Sequence, residues 1–222
     1  MFILGKTPTL IDADTIDRAS TIASSTIGHM RDDGFAHGIH AQTHADSAVG
    51  TAFTVRLPSM DSTALHYAID RLEPGHIMVI DMQGATDRAC VGAMVAFAAK
   101  HRGAAGFVID GMATDLRDLE EFGIPVFARG ISPRTTRILG IEGALNVPIT
   151  VGGAAVVPGM LVIADPDGVV FLDPDDFTAI ADRARKAQEI EPGVKEAVVG
   201  GASFSGGSGA AAKFLANHIV LT

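Results

Sequence analysis

Tryptophan is absent from the 222 residues, and tyrosine and cysteine occur once each. So few flat rings argue against a surface that stacks sugars or bases. The single Cys90 excludes an internal disulfide and fits a reducing cytoplasm. No cluster of basic residues occurs: 17 Lys and Arg against 26 Asp and Glu give a formal charge of -9, which excludes nucleic acid as an electrostatic partner. Long apolar runs are missing too. "ACVGAMVAFAA", the longest helix-like one, is about half of the roughly 20 residues that a membrane span requires. The opening "MFILGKTPTLIDADTIDRAS" acquires acids too early for a secretion signal. These absences predict a cytoplasmic protein that partners neither membrane nor nucleic acid. What the chain does have is 47% hydrophobic residues, enough for the core of one compact α/β domain.

Periodicity predicts a helix over 12–30, with Asp12 as cap and Ile16, Ala19, Ile22, Ala23 and Ile27 near one face. A strand follows at 50–57, then a helix over 61–75 capped by Asp61 or Ser62. "HIMVID" reads as a strand, and a small-residue helix is expected from about Arg88 to His101. "GFVIDGMATD" then repeats the strand-to-helix scheme: Asp81 and Asp110 close their apolar runs 29 positions apart, the length of a βα unit returning to a parallel strand. Their ends are expected at one rim of a sheet, where open α/β folds place ligands. Asp at a strand end is also an ordinary turn former. After "IPVFARG" four short strand candidates are separated by Gly-Gly, Pro-Gly and Pro-Asp-Gly turns, and a helix over 173–191 closes the core. Residues 1–195 are expected to form the domain, with 196–222 a glycine-rich linker and C-terminal tail.

The charge after "GFVID" needs a reason. Asp115 begins an expected helix with Asp118 three residues on, so both can serve a helix start as cap and dipole partner. Asp110, Asp115 and Asp118 together are more acid than one helix start needs. Converging carboxylates at a sheet rim would suit Mg²⁺ or Mn²⁺. A second constellation is Gly92-Ala93-Met94-Val95, where small residues leave backbone amides open to a carboxylate or phosphate, or simply allow close helix packing. His37, His40 and His44 lie between glycines and read as loop histidines rather than zinc ligands. Cys90 has no histidine base nearby in sequence and reads as a buried small residue.

In order, "RLEPGHIMVID", "VGAMVAFAAKHRGAAGFVIDGMATDLRDL", "IPVFARGISPRTT" and "NVPITVGGAAVVPGMLVIADPDGVVFL" resemble the RraA-like family over roughly residues 12 to 190. That family includes 4-hydroxy-4-methyl-2-oxoglutarate/4-carboxy-4-hydroxy-2-oxoadipate aldolases and regulators of ribonuclease E activity. The resemblance implies a swivelling β/β/α-type fold with parallel βα units followed by a β-hairpin region. It also implies homotrimers or homohexamers with active sites between subunits. The activity implied is a metal-dependent class II aldolase cleaving a small 4-hydroxy-2-oxo dicarboxylate to pyruvate, often with oxaloacetate decarboxylation, or else a non-catalytic protein-binding regulator.

By the same resemblance Asp115 is the metal-bearing acid, Asp118 the following acid that helps a water act as base, and 92–95 the backbone loop that holds the pyruvyl group. Two positions depart from the family pattern: Thr114 stands where the family has arginine, and Ala93 where it has an acid. Arg117, sharing a helix face with Thr114, is the expected substitute cation, and Arg88 is a second candidate.

Overall fold

Alternation along the buried strands sets the architecture, because successive side chains leave a strand on opposite faces. The computed structural model describes residues 1–219. The first half comprises β1 (Phe2–Leu4), α1 (Ala13–Ala19), α2 (Ser24–Gly28), β2 (Phe35–Ala36), β3 (His40–Ala41), β4 (Ala48–Arg56), α3 (Thr63–Ile69), β5 (His76–Asp81), β6 (Ala89–Val91) and α4 (Ala93–His101). There follow β7 (Gly106–Ala113), α5 (Leu116–Phe122), β8 (Val126–Ile131), β9 (Gly143–Leu145), β10 (Ile149–Val151), β11 (Ala154–Val156), β12 (Leu161–Asp165) and β13 (Gly168–Leu172). Helices α6 (Pro174–Val199), α7 (Phe204–Gly207) and α8 (Ala210–Leu215) end the described chain.

The main sheet runs β2-β13-β12-β4-β5-β7-β8-β3. Its centre, β4-β5-β7-β8, is parallel, with α3, α4 and α5 as the crossovers. Phe53, Met78, Ile80, Phe107 and Ile109 face those three helices. Ala52, Ile77, Val79 and Val108 point the other way and are covered by the antiparallel β10–β11 hairpin. Helices α1, α2 and α6 pack on Leu161, Ile163, Val170 and Leu172 of β12 and β13. The short β2 pairs with β13 and β3 with β8. The few residues linking β2 to β3 therefore bring the two sheet edges together, and left-handed Gly34 (φ +87°) and Gly38 (φ +70°) permit the turns.

The helix expectations need correction, the one over 61–75 being confined to Thr63–Ile69. Residues 12–30 form two helices, not one. Ser20 and Thr21 turn their hydroxyls onto the carbonyls of Asp17 and Arg18, and local bonds of this kind compete with the helix. Helix α2 then restarts against distant partners: Gln188 accepts the Ala23 amide, and Asp165 accepts the amide and hydroxyl of Ser24. Likewise the expected helix from Arg88 begins only at Ala93. Ala89–Val91 is strand β6, paired in parallel with β7, and extended Gly92 makes the change from strand to helix. Helix α6 runs through Pro192 to Val199, beyond the expected 191. Its last buried position is Ala184, so the proline disturbs no core packing. Of the expected C-terminal tail, residues 220–222 lie outside the described residues. No described helix is long and apolar enough to cross a membrane.

Candidate active site

Asp81 and Asp110 face each other across β5 and β7 in register, yet neither belongs with Asp115. They share a strand face with Val79 and Val108, which points to the β10–β11 hairpin. Asp110 pairs with Arg129 and accepts the Gly152 amide at 2.7 Å. Asp81 accepts the amide of Gln83 at 2.7 Å, a turn-forming bond. Burial, reinforced by the neighbouring Asp110 charge, pushes the Asp81 carboxyl above its ordinary range. The expected convergence of Asp110 with Asp115 and Asp118 is therefore not found: the two-residue strand period sends Asp110 to the opposite side of the sheet. Among the described residues no three His, Cys, Asp or Glu side chains are grouped to hold a metal.

Asp115 stands elsewhere, at a junction of two helices. It adopts a left-handed backbone (φ 57°) at the start of α5, and its side chain makes no capping bond to that helix. Its Oδ2 instead accepts the amide of Ala93, the first residue of α4, at 2.9 Å. The second oxygen, Oδ1, meets only the Thr114 hydroxyl, at 3.5 Å. A glycine is needed opposite: a Cβ on Gly92 would lie 2.5 Å from Asp115 Oδ2 and 2.8 Å from Thr114 Cγ2.

Around this junction lies a cavity of about 320 Å³. One wall is the strand-to-helix passage Gly92-Ala93-Met94-Val95, and Thr114 and Asp115 form its floor. Ser62 and His66 of the α3 turn make a second wall, and Thr135, Thr136, Arg137 and Ile138 a third. First-turn amides of a helix have no carbonyl within it to bond; the positive end of α4 thus opens on the cavity.

The third wall is held by Asp61, which is fully buried. Its carboxylate accepts the amides of Thr63 (2.9 Å), Leu139 (3.0 Å) and Ile141 (2.6 Å) and the Thr63 hydroxyl. Those hydrogen bonds outweigh the opposing effect of burial and hold the group well below the usual carboxylate range. The Arg137 backbone is tied on both sides, its amide to Met60 and its carbonyl to the Ser62 amide.

The structure thus brings Gly92, Ala93, Met94, Val95, Thr114 and Asp115 to one cavity. Arg117 and Asp118 are exposed on α5 and do not line it. Arg88 donates to the Thr135 carbonyl at 2.9 Å, supporting the wall from behind. His44 bonds Glu120, and His37 bonds the hairpin through its backbone, and the three loop histidines form no metal-holding group among the described residues. Cys90 borders the cavity, but burial pushes its thiol up to about 12, leaving it without nucleophilic character. Sequence reasoning missed His66 and Arg137. A signal for Arg137 existed in the three arginines that follow "IPVFA". Arg129 and Arg134 have acid partners, whereas Arg137 has no ion pair among the described residues.

Fold and cavity define an α/β protein with a carboxylate and a helix amino end at the rim of a parallel sheet. The chain belongs to the RraA-like family (Aldolase/RraA), which residues 7–171 match. A relative from Halalkalibacterium halodurans, named "Putative 4-hydroxy-4-methyl-2-oxoglutarate aldolase", is 32% identical over 191 residues, covering 86% of this chain and 84% of the relative. The crystal structure of an uncharacterized protein from Pseudomonas syringae pv. tomato matches with a TM-score of 0.75 and 27% identity, over 90% of this chain and 94% of that one. Streptomyces coelicolor RraAS2, described as an unusual member of the RNase ES inhibitor RraA protein family, also gives a TM-score of 0.75. Its identity is 26%, over 83% of this chain and 98% of that one.

Proposed function

We propose that the protein is a divalent-metal-dependent lyase of the class II aldolase type, which cleaves a small 4-hydroxy-2-oxo acid to pyruvate and a carbonyl product. The observation that carries this reading is the division of the Asp115 carboxylate, with Oδ2 tied to the Ala93 amide and Oδ1 left beside Thr114. A single carboxylate oxygen, with water and substrate oxygens completing the shell, suits Mg²⁺ or Mn²⁺. Asp115 would hold the ion, which when bound supplies Lewis-acid polarisation of the 2-oxo group.

The chain's own residues do the rest. Arg137 holds the substrate carboxylate, and the amides of Met94 and Val95 at the start of α4 stabilise negative charge at the pyruvyl end. His66, which lines the cavity where Asp118 does not, accepts the C4 hydroxyl proton. The C3–C4 bond then breaks: C4 becomes a carbonyl, and the bonding pair stays on C3, which takes up a proton to give pyruvate. Oxaloacetate decarboxylation would leave the same pair on C3. Metal-dependent release of pyruvate from 4-hydroxy-2-oxo acids tests the reading.

We also infer a homotrimer or hexamer, supported by an exposed apolar strand: Phe2, Ile3 and Leu4 of β1 lie beside exposed Tyr67. Sedimentation at micromolar concentration checks this, and a monomer contradicts it. The same surface and the likeness to RraAS2 favour a second reading, a protein-binding regulator without catalysis. Loss of all metal-dependent turnover in the purified protein would decide for it.

A further inference from the structure

Charge around the cavity constrains what else the substrate carries. Of the described side chains lining it, Asp115 and Arg137 are the acid and the guanidinium, and no other Asp, Glu, Lys or Arg is among them. Thr114 and Ala93 are neutral where the family resemblance implies a guanidinium and an acid. The α4 amides can donate hydrogen bonds to the pyruvyl end but carry no net charge, so Arg137 is the one side-chain guanidinium among the described lining residues to pair with a carboxylate. Beyond the cavity, His66, Met94 and Val95 are shared with a second recess of about 250 Å³ between α3 and α4, walled also by Ile69 and Ala98. Its single charged lining residue, Asp70, is bonded at the surface to Arg102 at 2.9 Å, and Arg102 itself does not line the recess. An anionic tail entering here would meet the Asp70 carboxylate, and the described recess lining holds no lysine or arginine to offset it.

We propose that the substrate is a monocarboxylate, a 4-hydroxy-2-oxo acid whose C4 substituent is uncharged and apolar and lies between α3 and α4. This rests on the lyase reading and departs from the dicarboxylate in the name of the Halalkalibacterium relative. The bonds broken and formed are those given above, and the carbonyl product becomes an aliphatic aldehyde or ketone. Burying each added methylene against Met94, Ile69 and Ala98 improves affinity by about fourfold.

The test uses the full chain with Mg²⁺ and measures pyruvate release from 4-hydroxy-2-oxo acids bearing a methyl, propyl or carboxymethyl group at C4. The propyl compound is expected to give the highest kcat/KM, and the carboxymethyl compound a value at least about tenfold lower. Calorimetry with the non-cleavable 2-oxohexanoate and 2-oxoglutarate provides a readout independent of turnover, and 2-oxohexanoate is expected to bind more tightly. Met94→Arg, which places a cation at the recess, should reverse that order.

A wild-type preference for the dicarboxylates, in turnover or in binding, overturns the inference while the lyase reading stands. An unchanged order in Met94→Arg also overturns it, because the tail then lies elsewhere. Apolar-selective binding without any turnover overturns the lyase reading and retains the ligand class. Neither binding nor turnover overturns both.

Discussion

The carboxylate of Asp115 and the amide of Ala93, 22 residues apart, meet at 2.9 Å and join the starts of two helices at one cavity. An acid just before a helix is favourable on its own. Here that contact fixes one oxygen and leaves the other beside the Thr114 hydroxyl. The arrangement gives Asp115 an orientation that a freely rotating surface aspartate would lack.

Asp115→Asn is expected to keep the fold, since an amide oxygen can still accept from Ala93. Its metal affinity should fall at least about tenfold, because the anionic donor is gone. Calorimetric titration with Mn²⁺ against wild type checks this. Equal affinities would place the metal elsewhere.

Gly92→Ala perturbs the same oxygen from outside. With the added methyl 2.5 Å from Oδ2, the carboxylate has to move. Metal affinity and turnover should both drop while the circular dichroism spectrum stays that of wild type. Full activity in Gly92→Ala would mean that the position of Oδ2 is unimportant.

Arg137→Ala and Arg117→Ala separate two candidate cations. Arg137, like Arg117, is exposed in the free protein, but a carboxylate–guanidinium contact closed off by bound substrate costs about 2–5 kcal/mol to lose, tens to thousands of fold in kcat/KM. An exposed helix arginine costs well under about 1 kcal/mol. Arg137→Ala should therefore lose most turnover and Arg117→Ala should stay near wild type. Thr114→Arg, which restores the cation the family resemblance implies, is expected to raise turnover of dicarboxylate substrates. The reverse ranking of the two alanine variants would return the role to α5.

Much of this site could be read from the chain, and the reasons differ by residue. Strand β5 ends at Asp81, whereas β7 runs on past Asp110 to Ala113; the parallel pairing of the two apolar runs, with Asp81 opposite Asp110, was legible. Asp81 and Asp110 emerge on the face of Val79 and Val108, while Asp115 follows the bulged end of β7 and leaves on another side, and the expected acid cluster failed for that reason. The break at Ser20–Ala23 was hidden because Gln188 and Asp165, which start α2, lie more than 140 positions away. Arg137 was overlooked for the same kind of reason, since Asp61 carries its wall to the cavity from some 75 residues earlier.

Asp61→Asn tests that wall through stability. An amide nitrogen cannot accept from backbone amides, so the substitution should cost about 2–3 kcal/mol. A lowered carboxyl pKa contributes stability that is present above the unfolded value, about 3.9, and is lost as pH falls toward the folded value. The gap in Tm between wild type and Asp61→Asn should be full near pH 7 and narrow steadily below about pH 4. A gap that does not vary with pH would show that the Asp61 charge contributes nothing.

The most direct measurement of the central claim is pyruvate release from a 4-hydroxy-2-oxo acid by the purified protein, with and without Mg²⁺, for wild type and Asp115→Asn. The account predicts turnover by the wild type that EDTA abolishes and Mg²⁺ restores, and a loss of about a hundredfold or more in Asp115→Asn. Turnover that is indifferent to both EDTA and the substitution, or no turnover by any of the preparations, would contradict it.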